Sequence, residues 1–260
     1  MYEKSQKPRR IVITGASSGI GEALALYYAA PEVVLGLTGR NDERLGAVAR
    51  ACEARGAKVL AQVIEVTDRE AMARWLTDFD DAHPVDLVVA NAGISAGTDG
   101  VISGEDPAQV RRVFDVNLTG VLNTVEPLQA RMVARGGGQI ALMSSLAGFF
   151  GWPGAPAYCS SKAAVRVYGE SLRGALRRAG VRVSVVCPGF VETRMTAVND
   201  FPMPFLMPVQ KAAEVIALGL ARDKGRIAFP FGTFWGVRFL AMLPEGLAQI
   251  IVSKSPAKSG

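Results

Sequence analysis

The 260-residue sequence has very little of what several functional classes require. Its single histidine, His83, is followed by Pro84, so a Ser-His-Asp hydrolase would have only one poor candidate base. The three cysteines, Cys52, Cys159 and Cys187, lack Cys-x-x-Cys spacing, which argues against a disulfide framework and against a zinc site. No uncharged apolar run reaches about eighteen residues, the length that indicates a spanning helix, and the basic start lacks the apolar stretch of a signal peptide. We therefore expect a cytoplasmic protein.

The sequence also has only a small net charge. The formal net charge is +5, from 29 Lys and Arg against 24 Asp and Glu, and the excess lies in residues 1–10 and 252–260. A nucleic-acid-binding surface needs Lys and Arg clustered on the folded body, so we expect no nucleic-acid partner. We expect a basic tail at 1–9, a main domain at 10–230 and an apolar extension with a basic tail at 231–260.

Short, β-branched apolar runs alternate with segments of helical period. The runs lie at 10–14, 33–38, 58–63, 85–90, 139–144, 181–187 and 226–229. The helical segments lie at 21–29, 42–54, 68–81, 107–134, 157–179 and 209–221. Continuous apolar strands indicate a sheet that is covered on both faces. The pattern predicts an α/β fold, one domain with a doubly wound, seven-stranded parallel sheet and helices on both faces, whose ligands bind beyond the carboxyl ends of the strands.

A glycine-rich loop, Thr-Gly-Ala-Ser-Ser-Gly-Ile-Gly at 14–21, joins the first strand to the first helix. Gly15 permits a tight turn, Gly19 lets the backbone approach a pyrophosphate, and Gly21 lets the helix pack closely on the sheet. The loop is typical of dinucleotide binding, and the alternative is an ordinary strand-to-helix turn rich in glycine.

The end of the second strand distinguishes between the two nicotinamide cofactors. Enzymes that select NAD commonly have an acidic residue there for the ribose 2′-hydroxyl, whereas this chain reads Thr38-Gly39-Arg40-Asn41. The Arg40 guanidinium could pair with a 2′-phosphate, so we expect NADP(H), with NAD(H) possible. The alternative is that Arg40 only caps the following segment.

Polar residues follow the fourth and fifth strands. They are Asn91-Ala92-Gly93 and Ser144-Ser145, and Tyr158 precedes Lys162 by one helical turn. A spacing of four places Tyr158 and Lys162 on one helix face, where the ammonium can lower the phenol pKa from about 10. The phenol would then be a general acid or base near neutral pH.

In these motifs the sequence resembles the short-chain dehydrogenase/reductase family, from about Arg10 to Thr193. The matching motifs are Thr-Gly-x-x-x-Gly-Ile-Gly at 14–21, Asn-Ala-Gly at 91–93, Asn117, Ser145, Tyr158-x-x-x-Lys162 and Pro188-Gly189. The resemblance implies a Rossmann-like domain that transfers hydride between a nicotinamide and an alcohol or carbonyl carbon. It also implies a homodimer or homotetramer that packs through the helices at 107–134 and 157–179.

The resemblance implies four catalytic residues. Tyr158 would donate a proton to a carbonyl in reduction and act as the base in oxidation, and Ser145 would hydrogen-bond the substrate oxygen, leaving Ser144 structural. Lys162 would bind the nicotinamide ribose hydroxyls and lower the pKa of Tyr158. Asn117 would anchor a water that relays protons to Lys162, and the alternative is an ordinary exposed helix residue.

It also implies a set of cofactor-binding residues. Ile20 would lie at the pyrophosphate, Asn91 and Gly93 at the adenosine, and Val191 with Thr193 at the carboxamide. Where many relatives place an Asp beside the adenine amino group, this chain has Glu65 before Val66. The full set is Gly15, Ser17, Ser18, Gly19, Ile20, Gly21, Arg40, Glu65, Val66, Asn91, Ala92, Gly93, Tyr158, Lys162, Pro188, Gly189, Val191 and Thr193.

Two segments bear on the substrate. The loop between Ser145 and Tyr158 carries no charge, which favours an apolar small-molecule substrate, although Phe149, Phe150 and Trp152 could be core or subunit-contact residues instead. In the resembled family the segment 194–208 forms a lid over the substrate, and here its prolines prevent a regular helix while methionines and aromatics offer adaptable apolar surface.

The apolar stretch at 231–252 leaves three uses open. It could be a subunit contact or pocket closure, buried core, or a membrane-surface anchor helped by Lys254 and Lys258.

Two functions from different classes fit the sequence. The first is an NADP(H)-dependent oxidoreductase that acts on an apolar ketone or secondary alcohol. The second is a catalytically idle dinucleotide-binding regulator or scaffold on the same fold, which would not need the Tyr158 and Lys162 pair.

Overall fold

The computed structural model describes residues 7–98 and 104–253. Residues 1–6 of the predicted basic tail at 1–9 lie outside these residues, as do residues 254–260 of the predicted C-terminal extension at 231–260.

Seven strands form one parallel sheet in the order β3-β2-β1-β4-β5-β6-β7, which confirms the predicted seven-stranded parallel sheet. The strands are β1 (Arg10–Thr14), β2 (Val34–Gly39), β3 (Lys58–Val63), β4 (Leu87–Ala90), β5 (Gly138–Met143), β6 (Val181–Pro188) and β7 (Arg226–Phe229). Strand order reverses between β1 and β4, and in such sheets ligands bind at the carboxyl edge beside this reversal.

Helices cover both faces of the sheet. They are α1 (Gly19–Tyr28), α2 (Asp42–Glu53), α3 (Arg69–Ala82), α4 (Pro107–Phe114), α5 (Gly120–Arg135), α6 (Pro156–Leu176), α7 (Val209–Ala221), α8 (Phe231–Leu240) and α9 (Glu245–Val252). Successive residues of a strand point to opposite faces. Ile11 and Ile13 therefore pack in a core that includes residues of α1, α2 and α7, whereas Val12 packs in a second core with α3, α5 and α6.

The helix predicted at 107–134 is interrupted, which corrects that prediction. A π-helical turn at Asp115–Thr119 separates α4 from α5, and the Gly120 amide bonds the Asp115 carbonyl across it. The turn carries Asn117 into the interior, where its side chain is fully buried. The alternative of an ordinary exposed helix residue is therefore wrong for Asn117.

The apolar stretch at 231–252 forms α8 and α9, whose two faces differ. Val237, Leu240, Ala248 and Val252 are buried on the inner side, and the cluster of Leu240, Ala248 and Val252 packs against Trp152, among others. Their outer side exposes large apolar side chains, among them Phe231, Trp235, Phe239, Met242 and Ile250. Core and cavity wall thus account for the inner side of the stretch. Within the described ranges, none of the helices has the length and apolar character to cross a membrane.

Candidate active site

A cavity of about 600 Å³ lies at the carboxyl edge of the sheet. Its wall comes from the glycine-rich loop, the segments after β2 to β6, the start of α6, the segment 194–208 and α8. Every residue of the predicted catalytic and cofactor-binding sets lines it except Gly21 and Asn117. The fold therefore gathers residues from distant parts of the sequence around one space.

The glycine-rich loop leaves no room for side chains at two positions. Gly15 has a φ of +66°, and a Cβ there would lie 2.8 Å from the Ala92 Cα atom. A Cβ on Gly21 would clash with the Gly15 carbonyl oxygen, so glycine here lets α1 pack closely behind the loop, and Gly21 itself does not line the cavity. Ser18, the N-cap of α1, makes no side-chain capping bond, so the first amides of α1 keep donors for an anion. The loop thus fits a phosphate group.

Asn91 fixes this loop to the end of β4. Its Nδ2 donates to the carbonyl oxygens of Thr14 at 2.9 Å and Gly15 at 3.2 Å. The Thr14 hydroxyl in turn accepts from the amides of Asn91 and Ala92. These bonds hold the two strand ends that flank the reversal of strand order.

Tyr158 and Lys162 lie on one face of α6, as the spacing of four predicted, with the Lys162 Nζ atom 5.8 Å from the centre of the Tyr158 ring. Lys162 is 4% exposed and donates from Nζ to the Met143 carbonyl at 3.0 Å. Burial lowers the pKa of Lys162 to about 8. Burial also raises the pKa of Tyr158, and a hydrogen bond with Ser145 acts in the opposite direction without reversing it. The direction is the reverse of the predicted lowering of the Tyr158 pKa, because desolvation outweighs the other contributions.

The two serines after β5 have different surroundings. The Ser144 hydroxyl donates to the Lys162 carbonyl at 2.7 Å, a contact that ties β5 to α6. The Ser145 hydroxyl bonds Tyr158, accepts from the Ala147 amide at 3.1 Å and is 3.4 Å from the Pro188 carbonyl. This placement suits a structural Ser144 and a Ser145 that acts beside Tyr158.

Asn117 lies behind the cavity wall and braces it. Its Oδ1 accepts from the Ile94 amide at 2.8 Å, and its Nδ2 donates to the Ile94 carbonyl at 2.9 Å and the Ser161 hydroxyl at 3.0 Å. A Cβ on Gly93 would lie 3.2 Å from both the Asn117 Oδ1 and the Lys162 Nζ, so glycine is what lets these groups approach. The water relay assigned to Asn117 stays a prediction.

Sequence reasoning missed Glu105, which caps the helix that carries Tyr158. The N-cap of α6 is Ala155, which has no side-chain acceptor, and the Glu105 Oε2 accepts from the Ala157 amide at 2.8 Å. A capping residue 52 positions away leaves no local signal in the sequence.

Charged groups cluster where the cavity passes β2 and β3. Arg40 and Glu65 line it as predicted, and so does Arg44, which the sequence analysis did not single out. Arg44 lies in the first turn of α2, and its buried Nε has no hydrogen-bond partner among the described residues. The Glu65 carboxylate pairs with Arg112 at 2.5 Å and lies 3.8 Å from Arg40. The guanidinium groups of Arg40 and Arg44 thus lie at this end of the cavity. The adenine contact of Glu65 stays a prediction.

The other end of the cavity is mainly apolar. Of the three aromatics in the loop before α6, only Trp152 lines it. Phe149 packs instead against Phe234 and under the guanidinium of Arg166, so it belongs to the packing between α6 and α8. The segment 194–208 forms no helix, as its prolines predicted.

Within that segment, Phe201 lines the cavity and packs edge-on against Phe190 at 6.0 Å. Met207 pairs with Val191 by a parallel β-bridge, which ties the end of the segment to the predicted carboxamide-binding residues. Thr233 and Val237 of α8 complete this wall, so the C-terminal stretch contributes to pocket closure.

No group of three or more His, Cys, Asp or Glu residues that could hold a metal ion occurs in the described part of the chain.

Known proteins resemble this chain in sequence and in fold. A family model described as short chain dehydrogenase matches residues 9–201. An uncharacterized oxidoreductase of Myxococcus xanthus is 38% identical over 240 residues, 92% of this chain and 94% of that protein. A short-chain dehydrogenase from Sphingobium yanoikuyae in complex with NADPH has a TM-score of 0.78 and 25% identity, over 95% of this chain and 96% of that one. A short chain dehydrogenase from Mycobacterium paratuberculosis bound to NAD has a TM-score of 0.78 and 26% identity, over 90% of this chain and all of that one.

Proposed function

The chain belongs to the short-chain dehydrogenase/reductase family and is an oxidoreductase, and from that premise we propose that it uses NADP(H) to interconvert an apolar ketone and a secondary alcohol. The observation that carries the proposal is the meeting of Tyr158, Ser145 and Lys162 on the wall of the cavity that the glycine-rich loop also lines. A regulator or scaffold would not need a buried Lys162 beside a partly buried Tyr158.

In this proposal Tyr158 is the general acid in reduction. Its raised pKa keeps the phenol protonated near neutral pH, which is the form that donates a proton to a carbonyl oxygen. Ser145, already bonded to Tyr158, would hold the same oxygen. Lys162 would bind the ribose hydroxyls. Asn117 would hold the backbone of Ile94, next to Gly93, in place beside Lys162. A bound nicotinamide supplies or accepts the hydride.

Preference for NADP(H) is supported by charge. The sequence Gly39-Arg40-Asn41 ends β2 without a carboxylate, and Asn41 caps α2 by accepting from the Arg44 amide at 2.9 Å. The Arg40 guanidinium is therefore not needed as a cap, and it faces the cavity together with Arg44. Two guanidinium groups at one position suit a doubly charged phosphate.

The apolar character of the substrate is supported by Trp152, Phe201 and Val237, which line the end of the cavity beyond Tyr158. In this proposal the segment 194–208 is the lid over that end. It carries Met195 and Phe201, which adapt to apolar ligands of different shape.

Assembly and location complete the proposal. We expect a homodimer or homotetramer that packs through α5 and α6, where Val133 and Val167 are exposed in the single chain. Light scattering after size-exclusion chromatography measures the mass of the assembly and so distinguishes a monomer, a dimer and a tetramer. A cytoplasmic location is supported by the low cysteine content, three residues in 260.

The test is the variant Tyr158→Phe, assayed on cyclic, aromatic and steroid-like ketones while nicotinamide absorbance is followed. We expect turnover to fall by about 100-fold or more, because only the acid/base hydroxyl is lost. NADPH binding, measured by fluorescence titration, should be retained.

Tyr168→Phe is the matched control, since Tyr168 lies on α6 outside the cavity wall. It should keep its activity. Full residual activity of Tyr158→Phe would show that the mechanism is wrong. A wild-type protein that binds NADPH but turns over no ketone of the panel would favour the regulator instead.

A further inference from the structure

One carboxylate oxygen faces two guanidinium groups at the Arg40 end of the cavity. The Glu65 Oε1 lies 2.5 Å from an Arg112 nitrogen and 3.8 Å from an Arg40 nitrogen. Arg40 and Glu65 line the cavity, whereas Arg112 belongs to α4 and is not part of its wall. Glu65 therefore has one cationic neighbour inside the cavity and one outside it.

The two contacts differ in strength. The Arg112 contact is a charge-assisted hydrogen bond, whereas the distance to Arg40 is too long for a hydrogen bond. Arg40 is thus weakly engaged, and its guanidinium is left for a ligand. If Arg112 were absent, Arg40 would be the one of these two cations that remains beside Glu65. The negative charge of Glu65 would then no longer be balanced by a group outside the cavity.

An uncompensated carboxylate at this place would act on ligands selectively. A 2′-phosphate carries close to two negative charges, so it would be repelled by Glu65 and would compete with Glu65 for Arg40. A ribose with a free 2′-hydroxyl carries no charge there and would lose little.

We propose that Arg112 is a positioning residue for cofactor selectivity, because it holds the Glu65 carboxylate and so keeps Arg40 available to a 2′-phosphate. The inference rests on the proposed preference for NADP(H) and adds to it a determinant outside the cavity. Arg112 touches no part of the ligand and acts through Glu65 alone.

The test compares two fragments of the cofactors, 2′,5′-ADP and 5′-AMP, which differ by the 2′-phosphate. Isothermal titration calorimetry measures the dissociation constant of each for the wild type and for Arg112→Leu. We expect Arg112→Leu to weaken 2′,5′-ADP by about tenfold, the equivalent of about 1.4 kcal/mol, and to leave 5′-AMP unchanged. A merely structural role would weaken both fragments together.

Arg111→Leu is the matched control. Arg111 precedes Arg112 on α4, carries the same charge and bonds the Pro107 carbonyl, so its loss should change neither constant. Glu65→Gln provides the second background. Because Glu65 is a predicted adenine contact and both fragments carry adenine, the readout in this background is the ratio of the two dissociation constants. That ratio should not shift towards 5′-AMP, and in the double variant the replacement of Arg112 should leave the ratio unchanged.

The dissociation constants of these variants decide the inference. Selective loss in Arg112→Leu that disappears in the Glu65→Gln background supports it. An equal loss for both fragments, or a loss that persists in the Glu65→Gln background, overturns it. If Arg112→Leu does not fold, a shift of that ratio towards 5′-AMP in Glu65→Gln alone overturns the inference, and an unchanged ratio or a shift towards 2′,5′-ADP supports it. If the wild type binds 5′-AMP as tightly as 2′,5′-ADP, the proposed NADP(H) preference fails and the inference falls with it.

Discussion

Lys162 lies where its charge is disfavoured. The side chain is 4% exposed, its Nζ donates to the Met143 carbonyl, and burial brings its pKa from 10.5 to about 8. Such a group is partly neutral at mildly alkaline pH. Its protonation should therefore change the stability of the fold as well as the site.

The sign of this effect follows from linkage. Between the folded pKa of about 8 and the unfolded value of 10.5, the unfolded chain binds more protons at Lys162 than the folded chain. The contribution of this residue to stability is thus lowest below pH 8 and rises with pH through that window. Between about pH 7.5 and about pH 9.5 the gain is about 2 kcal/mol.

We predict that the free energy of unfolding of the wild type rises by this amount relative to Lys162→Met over that range. Urea unfolding at the two pH values measures it. Burial raises the pKa of Cys52 to about 11 and of Cys187 to about 12, which lowers stability over the same range. Both proteins share these cysteines, so the comparison removes the effect of Cys52 and that of Cys187 apart from the coupling of its charge to Lys162. A difference between the two proteins that is independent of pH would contradict the prediction.

Residues whose roles depend on nearby sequence were predictable, and residues whose partners are distant were not. The spacing from Tyr158 to Lys162 and the glycine-rich loop are local patterns, and the structure brings them to one cavity. Glu65 and Arg112 are 47 positions apart, and only the tertiary fold brings them together. The direction of the Tyr158 pKa was mispredicted for a related reason, because desolvation depends on burial that no motif encodes.

At the scale of elements, α6 depends on a distant residue for its first turn. Glu105 accepts from the Ala157 amide, directly before Tyr158, and the N-cap Ala155 offers no acceptor. We predict that Glu105→Ala lowers the free energy of unfolding by about 1 kcal/mol, the usual cost of losing a cap. Turnover should fall as well, because the turn that carries Tyr158 loses an anchor.

Chemical denaturation and steady-state kinetics measure the two effects of Glu105→Ala. Glu105→Gln keeps an oxygen acceptor and should recover most of the turnover. Glu70→Ala is the control, because Glu70 is exposed and its ion pair, with Arg74 at 3.4 Å, lies within α3. An equal effect of Glu70→Ala would contradict the special role of Glu105.

The segment 194–208 gives a second prediction at this scale. Phe201 lines the cavity and packs on Phe190, whereas Phe205, four positions on, lies outside the cavity wall and is 67% exposed. We predict that Phe201→Ala raises the KM for bulky ketones severalfold and leaves NADPH affinity unchanged, and that Phe205→Ala changes neither. Equal losses of ketone and NADPH binding in Phe201→Ala would contradict a lid over the substrate.

The elements themselves were predicted unevenly. Continuous β-branched runs located all seven strands, because buried parallel strands differ sharply from their neighbours in hydropathy. The π-helical turn at Asp115–Thr119 was missed, since one extra residue in a helical turn hardly alters the apolar period. The stretch 231–252 was given three open uses and no helix bounds, and the structure divides it into α8 and α9, with Pro244 as the N-cap of α9.

At the scale of the whole molecule, charge and cavity are related. The positive groups that face the proposed phosphate site are local, Arg40 and Arg44, while the sequence between residues 11 and 251 carries no net charge. The cavity wall runs from Gly15 to Val237, so it exists only when nearly the whole chain is folded. A ligand of this cavity should therefore stabilise the whole fold.

We predict that NADPH raises the thermal midpoint of unfolding more than NADH does at equal concentration. A ligand that binds only the folded state, at about 100 times its dissociation constant, adds about 2.7 kcal/mol to the free energy of unfolding. In a chain of this size that corresponds to a shift of about 5–10 °C. Scanning fluorimetry at increasing concentrations of each cofactor measures it. Arg40→Ala should bring the two curves together by weakening only NADPH, whereas equal shifts for both cofactors in the wild type would contradict the charge argument at this end of the cavity.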